Sequence, residues 1–264
     1  MAEEDIVDNE IPPAVNGTKQ VDEASSEPSQ TWSLALNLIT CDAFAFTLLA
    51  LMMISTYFYC DPHHRGFWCS DESIRMPLKP LTVTLSTILI FSCAIPCSVI
   101  IFTESKLGLD YRIWLKRFFF SGGINLMLTI FCKFTTGRLR PHFIAVCDPD
   151  IDCVSNANMN SFISDYECRN PIAKAIKQAR QSFFSGHASI SLQAAVFLVL
   201  YIHHRYAKST GLVKALIQFV ILLAGIYPGI TQVNNYWHHW SDVLVGYIVG
   251  TLIAVINFNF VIVE

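Results

Sequence analysis

Residues Leu81–Phe102 read LTVTLSTILIFSCAIPCSVIIF and contain no charged side chain. A helix needs about 20 predominantly apolar residues to cross the roughly 30 Å hydrocarbon core of a bilayer, and this stretch is long enough to do so. Val243–Val263, near the carboxyl end, is a second stretch without a charge. The two stretches predict membrane-spanning helices, and this prediction decides the fold class.

Four further apolar stretches extend the same pattern along the chain. Three of them have shorter uninterrupted cores and run directly into polar residues, which suggests that their ends open onto a site. Transmembrane strands would appear as alternating segments of about 10 residues, and no such alternation is present. We therefore predict an all-α polytopic membrane protein with six transmembrane helices, over Leu36–Tyr59, Leu81–Thr103, Ile113–Cys132, His187–His203, Leu212–Ile230 and Ser241–Val263.

The overall composition supports this fold class. Charged residues make up 15% of the 264 residues and hydrophobic residues 53%, whereas a soluble domain usually has about a quarter charged residues. The isoelectric point of about 6.2 and the lack of a broad basic face exclude a nucleic-acid-binding protein, so we expect no nucleic-acid partner. A disordered chain and a small disulfide scaffold are excluded as well.

The amino-terminal segment, residues 1–32, differs in character from the rest. It contains eight acidic residues and one lysine, with several Pro and Ser, which is a composition typical of disorder. It lacks the basic start and the early apolar core of a cleavable signal peptide. We predict a disordered acidic cytoplasmic tail over residues 1–32 and a six-span membrane domain over residues 33–264.

An even number of spans places both termini on one side of the membrane, which we expect to be the cytoplasm. The distribution of Lys and Arg between the loops does not decide the orientation. Cysteines in the two opposite loops favour an oxidising compartment there, although free thiols remain the alternative and pairing is not readable from sequence. These cysteines are Cys60, Cys69, Cys147, Cys153 and Cys168.

A first polar cluster, Lys133–His142, follows the third predicted span. Lys133 and Arg140 are seven residues apart, which is nearly two helical turns and would place both cations on one side. Two cations aimed in one direction suit a phosphate, and arginine can bond two of its oxygens at once. The alternative is a belt of basic side chains at a helix end, reaching towards the membrane surface.

A second cluster, Ser182–Ser189, contains the step Ser185-Gly186-His187 and leads into the fourth predicted span. Free backbone N–H groups and the helix dipole favour an anion at a helix amino terminus. A histidine in that first turn can donate or accept a proton near neutral pH. The alternative is an ordinary helix cap followed by a histidine at the membrane interface.

A third cluster, Asn234–Asp242, leads into the sixth predicted span. His238 and Asp242 are four residues apart, so a helix would stack the carboxylate against the imidazole and leave its other nitrogen free as a nucleophile. His239 is a geometric rival, and an interfacial aromatic belt is the structural alternative. Zinc binding is the weaker chemical reading because the spacings give no matched ligand set, so we expect no metal and no cofactor.

The three clusters are all predicted at the same membrane face. A histidine paired with an acid, a second histidine on an anion-binding helix start and two cations are what transfer of a phosphoryl group to histidine requires. In these three clusters the sequence resembles the lipid phosphate phosphatases, the type 2 phosphatidic acid phosphatase family of six-span membrane enzymes, and specifically their animal branch. The first part of that signature is Lys, six residues and Arg-Pro, and Lys133 through Arg140-Pro141 matches it in full.

The second and third parts match with two departures. The family pattern Pro-Ser-Gly-His is met by Ser185-Gly186-His187, with Phe184 in the place of proline. The pattern Ser-Arg, five residues, His, three residues, Asp is met by His238 and Asp242, with Thr231-Gln232 in the place of Ser-Arg. The resemblance extends from about Trp32 to the end of the chain.

The resemblance implies a metal-independent, two-step hydrolysis of lipid phosphate monoesters, which are phosphatidic acid, lysophosphatidic acid, sphingosine 1-phosphate and ceramide 1-phosphate. His238, oriented by Asp242, would attack phosphorus to form a phosphohistidine, and His187 would protonate the departing alcohol. The phosphoryl oxygens would be held by Lys133, Arg140 and the backbone N–H groups of Ser185 and Gly186.

The departure at Gln232 leaves an alternative open. In the family this position is a phosphate-binding arginine, and glutamine supplies only neutral donors. The alternative is a catalytically impaired member that acts as a phospholipid-binding or protein-interaction scaffold in the membrane. A transporter or channel is disfavoured because the ionisable residues gather at one face.

The expected partners and location follow from the same reading. We expect a phospholipid substrate within a bilayer and a plasma-membrane location with an outward-facing active site. An internal membrane with a lumenal site is the alternative, and a homo-oligomer is left open.

Overall fold

The computed structural model describes residues 28–151, 153, 160–208 and 211–263. The acidic tail predicted over residues 1–32 lies almost entirely outside this part of the chain and stays a prediction. The chain divides into two units, Met1–Asp42 and Ala43–Glu264, and the packing described below is within the second unit.

Most of the described chain is helical, which confirms the predicted all-α class. A two-stranded antiparallel sheet, β1 (Phe67–Trp68) with β2 (Phe162–Ile163), is the exception. The helices are α1 (Pro28–Tyr59), α2 (Leu85–Leu89), α3 (Ile95–Leu107), α4 (Arg112–Thr136), α5 (Phe143–Cys147), α6 (Ala173–Ala179), α7 (Gly186–Arg205), α8 (Leu212–Asn234) and α9 (Trp240–Val263).

Six helical stretches of the described residues are long and apolar enough to cross a membrane. They coincide with the six predicted spans, and the prediction of a polytopic membrane protein is confirmed. The stretches are Cys41–Tyr59, Ser86–Leu107, Arg112–Thr136, Gly186–Arg205, Leu212–Asn234 and Trp240–Asn259.

The second span is built from three pieces. Between α2 and α3 one wider, π-helical turn runs over Ile90–Ala94, and Pro96 follows in the first turn of α3. Proline has no N–H to donate to the preceding turn, so a local change of helical geometry at this point has an evident cause.

Helix α7 is the centre of the bundle and packs mainly against α9, α8 and α4. Small residues allow the α7–α9 contact to be close. A Cβ atom at Gly250 would lie 2.3 Å from the carbonyl oxygen of Ser189, and one at Gly246 would lie 2.7 Å from that of Ser185. Membrane helices commonly approach each other through such small residues. The close contact brings the amino-terminal ends of α7 and α9 together.

Polar side chains within the bundle are paired with each other. Asn125 of α4 donates to Oε1 of Gln193 on α7 at 2.7 Å, and Nε2 of Gln193 donates to Ser121 at 2.7 Å. A buried amide without such partners would be costly in an apolar environment. This network therefore fixes the register between α4 and α7.

The segment between α1 and α2 and the segment between α4 and α7 lie on one side of the bundle. They fold together into a small domain that we call the cap. Disulfides join Cys69 to Cys153 and Cys147 to Cys168, so four of the five cysteines that we considered pair with each other, while Cys60 is an exposed free thiol. The cap has a core of its own, formed by Phe67, Cys69, Ile74, Leu139, Phe143, Val146, Cys147, Tyr166 and Ala179.

Candidate active site

Lys133 and Arg140 reach the same point from different backbone environments. Helix α4 ends at Thr136, and Gly137 takes a left-handed conformation with φ of 53°, so Arg140 does not continue the helix as the seven-residue spacing predicted. The two side chains nevertheless meet, because Nζ of Lys133 and Nη2 of Arg140 both donate to the carbonyl oxygen of Gln181, at 2.8 and 3.3 Å.

Arg140 is held by its surroundings rather than by a carboxylate. Its backbone N–H donates to the carbonyl of Ala179 at 2.8 Å, and its guanidinium lies 5.1 Å from the ring centre of Trp237. Nε is buried without a hydrogen-bond partner among the described residues. Burial lowers the pKa of Arg140 to about 10, so the side chain remains cationic at neutral pH.

The start of α7 carries the second cluster. Ser185 caps the helix, with its hydroxyl oxygen accepting from the N–H of Ala188 at 3.5 Å. Its own N–H, which we expected to hold a phosphoryl oxygen, donates instead to the carbonyl of Asp242 at 3.0 Å. Gly186 is the first residue of α7, where the backbone N–H has no partner within the helix. Nε2 of His187 is buried and has no partner among the described residues.

His238 and Asp242 are neighbours, but not through a helix. Helix α9 begins at Trp240, so Asp242 lies in its first turn and His238 precedes it. Nδ1 of His238 lies 3.8 Å from Oδ2 of Asp242. The rival His239 is nearer, with its Nδ1 at 3.2 Å from the same oxygen and its backbone N–H donating to it at 3.1 Å. The helical stacking that we predicted is therefore wrong, although the proximity is present.

Two residues to which we had assigned no role complete the surroundings of Asp242. Nη1 of Arg138 donates to Oδ1 at 2.6 Å, and the hydroxyl of Ser182 donates to Oδ2 at 2.6 Å. The same hydroxyl lies 3.5 Å from Nδ1 of His238. Arg138 and Ser182 both stand inside motifs that the sequence singled out, but no spacing rule marks them as partners of an aspartate 60 or 104 residues away.

His238 is buried, with only 3% of its surface exposed. Burial lowers the pKa of His238 well below its ordinary value, and the positive charges of Arg140 and Lys133 act in the same direction. Its imidazole is therefore neutral at neutral pH, which is the form that has a free electron pair on nitrogen.

A sharp turn between α8 and α9 presents His238. Tyr236 adopts a positive φ of 60°, and its carbonyl hydrogen-bonds to Nδ1 of His142 at 2.8 Å. Burial lowers the pKa of His142 to about 4, so this ring is neutral at neutral pH and donates from Nδ1 to the carbonyl. The turn is thereby tied to the segment that carries Arg140.

Gln232 lies beneath the same turn, near the end of α8. Its carbonyl oxygen accepts from the backbone N–H groups of Trp237 and His238, at 2.9 and 3.2 Å. Its side chain is completely buried, and neither Oε1 nor Nε2 has a partner among the described residues. Thr231, its neighbour in the motif, uses its hydroxyl to bond the carbonyl of Pro228 at 2.7 Å.

One cavity of about 470 Å³ brings the predicted residues of all three clusters together. Of the predicted residues, Lys133, Arg140, Gly186, His187 and His238 line it, whereas Ser185, Asp242, Gln232 and Thr231 do not. In the part of the chain that the structure describes, no three His, Cys, Asp or Glu side chains gather in a way that could hold a metal ion. The polar and charged lining residues are Thr129, Lys133, Arg140, Lys174, Lys177, Gln178, Gln181, His187 and His238, with Gly186 between them.

Comparison with known proteins identifies relatives of this chain. The PAP2 superfamily matches residues 114–262. Phospholipid phosphatase 2 of Bos taurus is 33% identical over 240 residues, which cover 84% of this chain and 82% of the relative. Phospholipid phosphatase 2 of Homo sapiens is 36% identical over 215 residues, covering 74% and 73%. Phospholipid phosphatase 1 of Rattus norvegicus is 30% identical over 240 residues, covering 84% and 83%. No solved structure matches the chain.

Proposed function

The chain belongs to the PAP2 superfamily, and from this premise we propose that it is a phosphatase that hydrolyses lipid phosphate monoesters. The observation that carries the proposal is the single cavity whose wall contains His238, His187, Lys133 and Arg140. Relatives named phospholipid phosphatase support the class of substrate.

In the first step, Nε2 of His238 attacks the phosphorus atom while the P–O bond to the lipid alcohol breaks. The neutral imidazole has the electron pair that this attack needs, and Nδ1 faces Ser182 and Asp242, which stabilise the positive charge that develops on the ring. His187 gives its proton to the departing alkoxide, so the products are the lipid alcohol and a phosphohistidine at position 238.

In the second step, water attacks the phosphohistidine and gives a proton to His187, which releases inorganic phosphate and restores both histidines. Lys133, Arg140 and the N–H of Gly186 bind the phosphoryl oxygens, and stabilisation by such preorganised donors is commonly the largest contribution to catalysis. The N–H of Ser185 is excluded from this role because it donates to Asp242.

The proposed substrates are phosphatidic acid, lysophosphatidic acid, sphingosine 1-phosphate and ceramide 1-phosphate. We propose further that the site faces the cell exterior or a lumen, with the termini in the cytoplasm and the protein in the plasma membrane. Two disulfides in the cap beside the site support this sidedness, because disulfides persist in oxidising compartments.

A second candidate function is a phospholipid-binding scaffold with impaired catalysis. The observation that favours it is Gln232, a buried neutral side chain at the position where the family signature has a cation. The enzyme is the better proposal, because both candidate catalytic histidines and both cavity cations are retained around one space.

The decisive experiment measures phosphate release from phosphatidic acid by the full chain purified in detergent with excess EDTA. We expect release, and we expect it to fall to the level of a protein-free control in His238→Ala. His239→Ala is the matched control, because it alters the rival histidine beside the same carboxylate, and it should retain most of the activity. No release by the parent chain, together with retained lipid binding, would favour the scaffold. Loss of activity in His239→Ala with activity retained in His238→Ala would instead make His239 the nucleophile.

A further inference from the structure

The wall of the site cavity carries an excess of positive charge. Four of its lining residues are Lys or Arg, and among the described residues that line it none is Asp or Glu. The four are Lys133, Arg140, Lys174 and Lys177. A substrate headgroup entering this space therefore meets cations without interspersed carboxylates.

Two of these cations match the charge of the phosphate itself. A phosphate monoester carries a charge of about −1.5 to −2 at neutral pH. Lys133 and Arg140 converge on one carbonyl oxygen, that of Gln181, so they are aimed at a common position. A phosphoryl group bound between them would offset both charges.

A third cation is balanced by the protein. Nζ of Lys177 lies 3.0 Å from Oδ1 of Asp61 and also donates to the carbonyl of Cys60 at 3.1 Å. This contact connects α6 to the segment that follows α1. Lys177 thus already has a carboxylate partner before any ligand arrives.

Lys174 is the cation that remains. It lies in the first turn of α6, is exposed, and lines the same cavity. No described carboxylate lies within ion-pair distance of its ammonium group. After the phosphate has been offset, Lys174 therefore leaves one positive charge without a carboxylate partner on the wall of the same cavity.

We propose that Lys174 makes the cavity select against lipid phosphates whose headgroup carries an ammonium group. The preferred class is glycerol-based, such as lysophosphatidic acid, and the disfavoured class is the free sphingoid phosphates. The inference rests on the proposed function for its substrates. Its cause is charge repulsion between the two ammonium groups, which is stronger beside the wall of a protein cavity than in bulk solvent.

The test compares three single-phosphate lipids in the same mixed micelles: lysophosphatidic acid, sphingosine 1-phosphate and N-acetylsphingosine 1-phosphate. The third keeps the sphingoid backbone and removes only the ammonium charge. We expect kcat/KM to be lowest for sphingosine 1-phosphate and to be restored by N-acetylation. Lys174→Gln should narrow the difference about threefold and Lys174→Glu about tenfold. The control is Lys106→Gln, which makes the same change of charge at the end of α3 remote from the site.

The outcomes separate this inference from the proposed function. Equal kcat/KM values for the three lipids, or a ratio that Lys174→Gln and Lys174→Glu leave unchanged, would overturn the inference while leaving the phosphatase intact. Should no lipid release phosphate, the proposed function fails, and equilibrium binding of the same three lipids to the parent and the Lys174 variants still decides the inference by the same ranking. If Lys106→Gln changed the ratio of kcat/KM values by the same factor, the effect would come from the overall charge of the protein, and the inference would also be overturned.

Discussion

Ser182 occupies the space between the carboxylate and the imidazole of the candidate site. Its hydroxyl donates to Asp242 at 2.6 Å and lies 3.5 Å from Nδ1 of His238, whereas the direct separation of imidazole and carboxylate is 3.8 Å. The hydroxyl can accept from Nδ1–H while it donates to the carboxylate. Ser182 is therefore placed to fix the ring orientation and the tautomer in which Nε2 is the attacking atom of the proposed mechanism.

We predict that Ser182→Ala lowers kcat by about 10- to 100-fold with little change in KM, since a hydrogen bond to a charged group contributes about 1.5–3 kcal/mol. The pH profile should change as well. Without the hydroxyl the imidazole can approach Asp242 directly, which raises its pKa, so the protonated and inactive form appears at higher pH. The acidic limb of the plot of kcat against pH should then move to higher pH.

The matched control for this prediction is Ser241→Ala. Ser241 accepts from Nη1 of Arg138 at 3.0 Å in the same cluster, and among the described residues it makes no hydrogen bond to His238. It should leave the position of the acidic limb unchanged. A merely structural role of Ser182 would be indicated if both variants lowered stability alike and neither moved the pH profile.

Gln232 gives a second prediction at the residue scale. If the absent cation limits turnover, Gln232→Arg should raise kcat, by a factor of up to about 10² to 10³ for a restored transition-state donor. Gln232→Met is the control, because it removes two buried, unpartnered polar atoms at similar volume and should keep or increase thermal stability without a gain in rate. Phosphate release measures the effect on rate, and thermal unfolding in detergent measures the effect on stability. An unchanged kcat in a stably folded Gln232→Arg variant would show that the missing charge does not limit turnover.

At this scale the sequence predicted which residue types gather, but not how they pair. Lys133, Arg140, His187 and His238 were chosen by type and spacing, and they line one cavity. Arg138 was passed over although it forms the shortest ion pair to Asp242. Spacing along a chain reports which residues share a helix face, whereas the partner of a side chain across the bundle depends on packing.

At the scale of elements, α3 and α7 are joined by a buried ion pair at the end remote from the site. Oε1 of Glu104 accepts from Nε of Arg205 and from the hydroxyl of Tyr201, both at 2.6 Å, and Oε2 accepts from Nη2 of Arg205 at 2.6 Å. Glu104 has no exposed surface. Its charge is thus matched by bonds on both oxygens, and the two helices are locked in register.

We predict that Glu104→Gln destabilises the protein by about 1–3 kcal/mol, because a partly buried arginine loses its carboxylate. Tyr201→Phe removes one hydrogen bond from the same group and should cost about 1 kcal/mol. Thermal unfolding in detergent measures both, and kcat at low temperature should change little, since the cluster is remote from the cavity. A large loss of kcat at full stability would instead show that the two ends of α7 are coupled.

The spans themselves were predictable because the bilayer imposes a long apolar stretch, and such a stretch is visible in sequence. The details that place the site were not. The third span was predicted to end at Cys132, but α4 continues to Thr136, so Lys133 lies in its last turn. The cap contains two short helices and a small sheet where only loops were predicted, because disulfides and local packing shape it rather than periodicity.

For the whole molecule, sidedness is the testable property. Cys60 is an exposed free thiol at the end of α1 on the cap side. We predict that a membrane-impermeant maleimide labels it in sealed vesicles whose exterior corresponds to the cell exterior or lumen, and that Cys60→Ser abolishes this labelling. The control is a cysteine introduced as Lys106→Cys, which should react only after permeabilisation. Labelling of the two positions in the reverse order would place the site on the cytoplasmic side.

Charge counting could not decide this orientation from sequence, and the structure gives the reason. Several cations of the cap side lie in or beside the cavity, including Lys133, Arg140, Lys174 and Lys177. Under the proposed function these cations would bind the phosphate, so their places in the chain would be set by that role rather than by membrane insertion. The cavity cations would then hide the excess of Lys and Arg that the rule expects in the cytoplasmic loops.

The carbonyl oxygen of Gln181 has a consequence for product release. Because Lys133 and Arg140 already donate to it, an arriving phosphoryl group exchanges one acceptor for another, and the net gain on binding is smaller than two new charged hydrogen bonds would give. In the proposed reaction, the same exchange would run in reverse once the ester is cleaved. Gln181 would then compete with inorganic phosphate for both cations, so this segment would help to release the product and to return the site to its starting arrangement.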